Sequence, residues 1–247
     1  MKRYLITCLA GATLLGACSN NNTPPLAGAY RLVNGVPDSG GLSSSATSGF
    51  PSSSTAGFDS ASSIVDVPDG GYNVQVTPGS GATFTVDNVG IQHNNLTTLF
   101  TYGSTASSTA AGFTAEENLS TPASGTFTFQ FVNDTSQTAT AALSIFLIPV
   151  GAGIGSATPV ATASTATASQ DVNVPAGTYE IVVASAGAPV YDSGTTGGIT
   201  LPTPDTNVIQ IGALDATAAQ VSSNGSPITL LLLDNNGGEA LHLSGQN

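Results

Sequence analysis

Basic side chains are almost missing from this sequence. Three Lys or Arg stand against 15 Asp or Glu in 247 residues, and two of the three, Lys2 and Arg3, open the chain. Beyond them Arg31 is the one positive charge against fifteen negative ones, a net of −14. A protein that neutralises phosphates needs several Lys or Arg, so nucleic acid and anionic lipid headgroups are excluded as partners. Lysine chemistry and arginine clamps go with them. Tryptophan is absent and aromatic residues make up 6%, too few for the aromatic walls usual in a glycosidase cleft. Helical periodicity is nearly absent as well. What is abundant is Gly (29), Pro (14) and a large stock of Ser, Thr, Ala and Asn, the composition of strands joined by turns and long polar loops.

The first residues read as an address. Met1-Lys2-Arg3 is basic and Tyr4 to Leu15 is an apolar run of about 12 residues, short of the roughly 20 that a spanning helix needs. Leu15-Gly16-Ala17-Cys18 resembles the bacterial lipoprotein signal, in which Cys18 would take the lipid and become the new first residue. The resemblance implies a signal peptide over 1–17 and a polar tether over 18–28, with membrane attachment through the lipid anchor. Ser19 resembles an outer-membrane sorting residue, so the expected location is the cell envelope at the outer membrane, facing the periplasm or the outside. Cys8 leaves with the leader, so no thiol is left for catalysis, metal ligation or a disulfide. The fold must then hold by its core, which about 230 residues can supply in one or two domains.

The sequence repeats itself. Tyr30-Arg31-Leu32-Val33-Asn34 recurs as Phe129-Gln130-Phe131-Val132-Asn133, and Val65 to Val76 recurs as Val172 to Val183 at an offset of 107. A third pairing, Leu99–Gly103 with Val208–Gly212, follows in the same order at an offset of 109. The blocks alternate apolar and polar, or are short and apolar, between Gly, Pro and Asn clusters, as half-buried or sandwich-core strands do. In Val-Pro-x-Gly-x-Tyr, Pro ends a strand, Gly turns the chain, and Tyr72 or Tyr179 starts the next strand with its hydroxyl free to reach a backbone group. That device is similar to the tyrosine corner of immunoglobulin-like sandwiches.

The expected fold is all-β: two tandem immunoglobulin-like or transthyretin-like antiparallel β-sandwich modules, over 29–103 and 126–235. A linker over 104–125 and a tail over 236–247 complete the division. Both modules carry low-complexity sequence in the same slot, Ser43–Ser63 (12 of 21 residues Ser or Thr) and Gly151–Ser169, read as exposed loops or edge strands. Ile228–Asp234 is apolar on both alternating faces and reads as a buried strand. No equivalent of it is visible after Gly103, an asymmetry that leaves one edge of the first module to be covered.

Val33-Asn34-Gly35-Val36-Pro37-Asp38, the Val-Pro-x-Gly-x-Tyr blocks and a closing apolar strand before Gly resemble the bacterial domain-of-unknown-function family 4397. The resemblance spans Ala29 to Asn235 and implies tandem β-sandwich modules of exported and surface proteins, with no catalytic residues to carry over. Two departures stand out: Asn133-Asp134-Thr135-Ser136 replaces a Pro-Asp turn, and the Ser-rich insert takes the place of the second strand of the first module.

Candidate chemistry is sparse. His93 lies in a turn and His242 near the end, each alone; His93 with Asp87 and a serine could be drawn as a triad, but no Gly-x-Ser-x-Gly elbow supports it. Asp66, Asp69 and Asp87, with Asp192, Asp205 and Asp215, are scattered carboxylates without an Asp-x-Asp-x-Asp-Gly calcium loop. No catalytic, cofactor-binding or metal-ligating residue is singled out, and no cofactor is expected. The functional expectation is a non-enzymatic lipoprotein displaying its modules for surface contact, adhesion or docking, with an envelope protein or surface glycan as partner. The alternative is a carbohydrate- or small-ligand-binding module assisted by calcium.

Overall fold

The computed structural model describes residues 26–47, 49–118, 122–134, 142–150, 152, 157–185, 195–196, 199–200, 208–216, 228–235 and 238–244, and among these the chain is all-β. Residues 27–118 supply β1 (Ala27–Asn34), β2 (Leu42–Ala46), β3 (Ser60–Ala61), β4 (Val65–Pro68), β5 (Gly70–Pro78), β6 (Phe84–Ile91), β7 (Asn95–Tyr102) and β8 (Ala111–Asn118). One sheet runs β3-β1-β7-β8, with β4 also on β1, and the other runs β2-β5-β6. Strand alternation turns Val74 and Val76 of β5 inward and Asn73 and Gln75 outward. They meet Tyr30, Leu32, Val67 and Leu99 from the first sheet, so the two sheets close a single core.

The same connectivity recurs in β9 (Thr126–Asp134), β10 (Leu143–Pro149), β11 (Ala161–Ala163), β12 (Thr167–Ala168), β13 (Val172–Pro175), β14 (Gly177–Ser185), β15 (Thr195–Thr196), β16 (Ile199–Thr200), β17 (Val208–Ala216), β18 (Ile228–Asn235) and β19 (Gly238–Ser244). Its sheets run β12-β9-β18-β19, with β13 on β9, and β11-β10-β14-β17, while among the described residues β15 and β16 pair with each other. Phe127, Phe129 and Phe131 fill the second core against Leu143, Ile145, Ile181 and Val183. Tyr30 stands opposite Val65 and Thr97, and Phe129 opposite Val172 and Ile228, so the first two sequence matches coincide in space.

The third match does not coincide. Leu99 to Tyr102 lie in β7, whose counterpart by pairing is β18, whereas Val208–Gly212 lie in β17, the counterpart of β6. Short apolar stretches ending in Gly are common in such a chain, and order alone did not distinguish two of them. The apparent asymmetry vanishes with the correction, because β7 is the first sandwich's version of Ile228–Asp234.

Three other expectations change for one shared reason. The span 104–125, expected as a linker, contains β8, paired with β7 from Asn95↔Asn118 to Tyr102↔Ala111. The span 236–247, expected as a tail, contains β19, paired with β18. The Ser-rich insert does not replace the second strand; Leu42-Ser43-Ser44-Ser45-Ala46 is that strand, paired with β5. Small and polar residues outnumber large apolar ones in these strands, which hold only Leu42, Phe113, and Leu241 with Leu243 respectively, so their pattern carries little hydrophobic contrast. The sheets are also not purely antiparallel, since β1 runs parallel to β7 and β9 to β18. The chain between them crosses through the opposite sheet, which provides the long connection that a parallel pair requires.

The corner is built twice. Tyr72 Oη donates to the Pro68 carbonyl at 2.8 Å, and Tyr179 Oη to the Pro175 carbonyl at 2.7 Å. Each ring folds back over the glycine two residues before it; a Cβ on Gly177 would stand 3.3 Å from the Tyr179 ring. Removing either hydroxyl, in Tyr72→Phe or Tyr179→Phe, is expected to lower stability by about 1 kcal/mol in urea denaturation, whereas Ala at Tyr179, which also empties part of the core, should cost about 3–5 kcal/mol.

Candidate functional site

Alternation along β1, β7 and β8 turns a second set of side chains away from the first core. Val33, Phe100 and Ala115 come together there with Val132 of β9, and Phe113 and Ala168 pack against them. The two sandwiches therefore meet through one sheet of each. In this face lies Arg31, whose Nη2 donates to Glu117 Oε1 at 2.6 Å while Nε donates to Thr98 Oγ1 at 2.9 Å. Thr98 Oγ1 in turn donates to Glu117 Oε1 at 3.1 Å. Arg31 is 8% exposed and Glu117 1%. The one basic side chain beyond residue 3 is thus inside the protein, with its charge neutralised.

Next to this pair, Gln130 of β9 bridges the two sandwiches. Its Nε2 donates to the Glu116 carbonyl at 3.2 Å and to Asp171 Oδ1 at 3.3 Å. Its Oε1 is buried, with no hydrogen-bond partner among the described residues. A cleft of about 460 Å³ opens at this point between Phe113–Glu116 of β8 and Ala166–Asp171. Glu116 is in its lining, and its carboxylate is held by Gln92 Nε2 at 3.0 Å and Asn95 Nδ2 at 3.3 Å.

The residues singled out from the sequence do not converge on this cleft. Cys18, Asp192 and Asp205 lie outside the described residues, as do the side chains of Asp215 and His242. His93 is exposed, with Nδ1 3.1 Å from the Ala27 carbonyl. Asp66, Asp69 and Asp87 are exposed, and among the described residues no three His, Cys, Asp or Glu side chains are grouped as a metal site. Asn34 and Asn133, each at the end of a first strand, are fully buried and serve the fold. Asn34 donates to the Ala56 carbonyl and accepts from Val36 N, and Asn133 donates to the Ala163 carbonyl.

Two arrangements went unseen in the sequence. Ser62 N donates to the Leu32 carbonyl while Ser62 Oγ accepts from Leu32 N at 2.9 Å; Ser169 does the same with Phe131, at 3.0 Å for the hydroxyl contact. The residues three places earlier, Asp59 and Ala166, both have left-handed backbones at φ 57° and 56°. The signal was present, because the offset of 107 extends back to Ser60-Ala61-Ser62 against Thr167-Ala168-Ser169; low complexity hid it. The second arrangement is Asp38, whose Oδ1 accepts from Thr105 N at 2.9 Å and whose Oδ2 accepts from Ser104 Oγ at 2.7 Å and Ala106 N at 2.9 Å. Foremost the Ser104 hydroxyl, and with it the backbone donors, hold this carboxyl well below the usual carboxylate range.

Fold and site together define an all-β protein of two sandwiches joined through a mixed polar and apolar face. No family model and no curated protein matches the chain. Among solved structures it is similar to the Bacillus anthracis TIE protein, with 11% identity and a TM-score of 0.22, over 84% of this chain and 34% of that one. A likeness of that size carries no argument about function.

Arg31→Met should lower stability by about 3–5 kcal/mol, because it strands the buried Glu117 charge, while Arg31→Met with Glu117→Leu should recover most of the loss; denaturation of the three chains side by side checks this. At neutral pH, Asp38→Asn should cost about 1 kcal/mol. Since the folded carboxyl titrates below its unfolded value, that contribution is full above about pH 4 and is lost as the pH falls further. The difference between wild type and Asp38→Asn in urea should therefore narrow below pH 4.

Proposed function

We propose that this chain is a non-enzymatic lipoprotein, anchored at the outer membrane through Cys18, that holds two β-sandwiches at the cell envelope for surface contact, adhesion or docking to an envelope protein or surface glycan. One observation carries the reading: the positions repeated between the sandwiches are occupied in the fold. Tyr72 and Tyr179 close corners, Ser62 and Ser169 splice an edge strand, and Asn34 and Asn133 hold the backbone carbonyls of Ala56 and Ala163. A duplicated unit whose shared residues are structural suits a spacer or display element. The proposed family resemblance points the same way, to exported tandem sandwiches. A second reading, small-ligand binding, is favoured by the cleft of about 460 Å³ between Phe113–Glu116 and Ala166–Asp171.

The test is the fate of Cys18→Ala in cells. Wild type is expected to take up labelled palmitate and to fractionate with membranes, and the variant to do neither. Protease added to intact cells should digest the chain if it faces outward and spare it until the outer layer is broken if it faces the periplasm. A variant that stays with the membranes and keeps its label would overturn the anchored reading.

A further inference from the structure

Strand β8 leaves one edge of its sheet open. A strand residue aims its N–H and C=O to the same side, and its neighbours aim theirs to the other. Gly35 N donates to the Thr101 carbonyl at 2.9 Å, so Thr101 faces β1, while Thr98 and Phe100 face β8. Their partners Ala115 and Phe113 are therefore bonded to β7, and Gly112, Thr114 and Glu116 aim N–H and C=O away from it. Gln130 Nε2 agrees with that direction, since it reaches the Glu116 carbonyl from the second sandwich at 3.2 Å. Among the described residues, the outward backbone groups of Gly112 and Thr114 have no partner strand.

The edges of the opposite sheet are guarded. Along β2, Ser53 N donates to the Ser44 carbonyl at 2.9 Å and Ala56 bridges to Leu42. β6 has a register break against β5 and a left-handed backbone at Asn88, φ 57°, both of which spoil an edge for further pairing. β8 has neither cover nor bulge: its 8 residues pair with β7 in unbroken register and include no Pro or Lys. Its exposed Glu116 opposes pairing with a second copy of so acidic a chain. Beside this edge lies the cleft of about 460 Å³, within the roughly 300–1,000 Å³ of binding pockets. Phe113 and Ala115 stand on the face of β8 that meets Ala168, and Thr114 and Glu116 alternate to the other face.

We propose that β8 is a docking edge for an extended segment of a basic partner protein, which joins the sheet as one more strand along Gly112–Glu116. In the added strand, alternate side chains fall beside Phe113 and Ala168 at the cleft, where apolar residues fit. The others fall beside Thr114 and Glu116, where Lys or Arg meets the carboxylate. The inference rests on the docking reading for the partner's being a protein. It is measured on the purified chain, whereas anchoring through Cys18 is tested in cells, so either fails without the other. The probe is a nonapeptide of alternating Val and Lys, followed by backbone NMR. It is expected to shift Gly112–Glu116 and Ala166–Asp171 with a dissociation constant of about 100 μM. N-methylation of all its Val or of all its Lys residues should abolish binding in one peptide and spare it in the other, because only one set of N–H groups faces β8. Thr114→Pro removes an outward N–H without touching the β7 ladder and should weaken binding at least tenfold. The proposal is overturned if the two methylated peptides behave alike, if folded Thr114→Pro binds normally, if shifts spread evenly over the acidic surface, or if the free chain self-associates through this edge. Should Thr114→Pro fail to fold, the methylated pair decides alone.

Discussion

β1 and β9 are buried on both faces, and the arrangement of the two sandwiches follows from that constraint. From Tyr30 onward every residue of β1 is buried, and β9 is buried from Phe127 to Asp134. One set of alternating side chains fills a sandwich core, so the other set needs a separate cover. Each first strand finds it in the other sandwich, where Val33 and Phe100 meet Val132. Placing Arg31 and Glu117 in this layer costs desolvation that a hydrophobic pair would not incur. What the pair adds is direction: Arg31 Nε and Nη2 are matched to Thr98 and Glu117 on two successive neighbouring strands, so β1, β7 and β8 are held in one register.

The duplication separates two kinds of residue. Positions that recur with the same contacts, such as the tyrosine at each corner and the serine at each splice, are requirements of the fold. Positions that diverge mark what each sandwich does in its own setting. Arg31 and Gln130 occupy the same place on their first strands, yet one is neutralised inside the first sandwich's outer face while the other reaches across to Glu116. The equivalent side chains therefore build two different halves of one junction. That difference explains how a repeated unit yields an unrepeated cleft.

The strands themselves were legible where they contain large apolar residues, although their order in the sheets was not. The blocks at Tyr30, Val65, Phe129 and Val172 read correctly as repeated strands because Val, Ile, Phe and Tyr alternate there with polar residues. β2, β8 and β19 were not legible, since small and polar residues outnumber the one or two large apolar ones in each, and Glu117 points inward where a carboxylate reads as solvent-facing. The cleft was not legible at all. It depends on Gln130, Glu116 and Asp171 being brought together from three separate strand regions, and nothing in their spacing announces that.

The electrostatics of the surface follow from the same junction. With Arg31 internal, the exposed charge of the described residues is acidic, carried by side chains such as Asp66, Asp69, Asp87 and Glu116. Two copies of such a chain repel each other at low salt, and that repulsion is screened beyond about 8 Å at physiological ionic strength. Attraction to a partner must then come from neutral hydrogen bonding, from apolar contact, or from a cation that the partner supplies. The described residues present no exposed Lys or Arg, so the formal charge they offer a partner is negative. Gln130 belongs to the interior side of the same junction: its two N–H bonds are used in holding the sandwiches together, and its oxygen is buried with them.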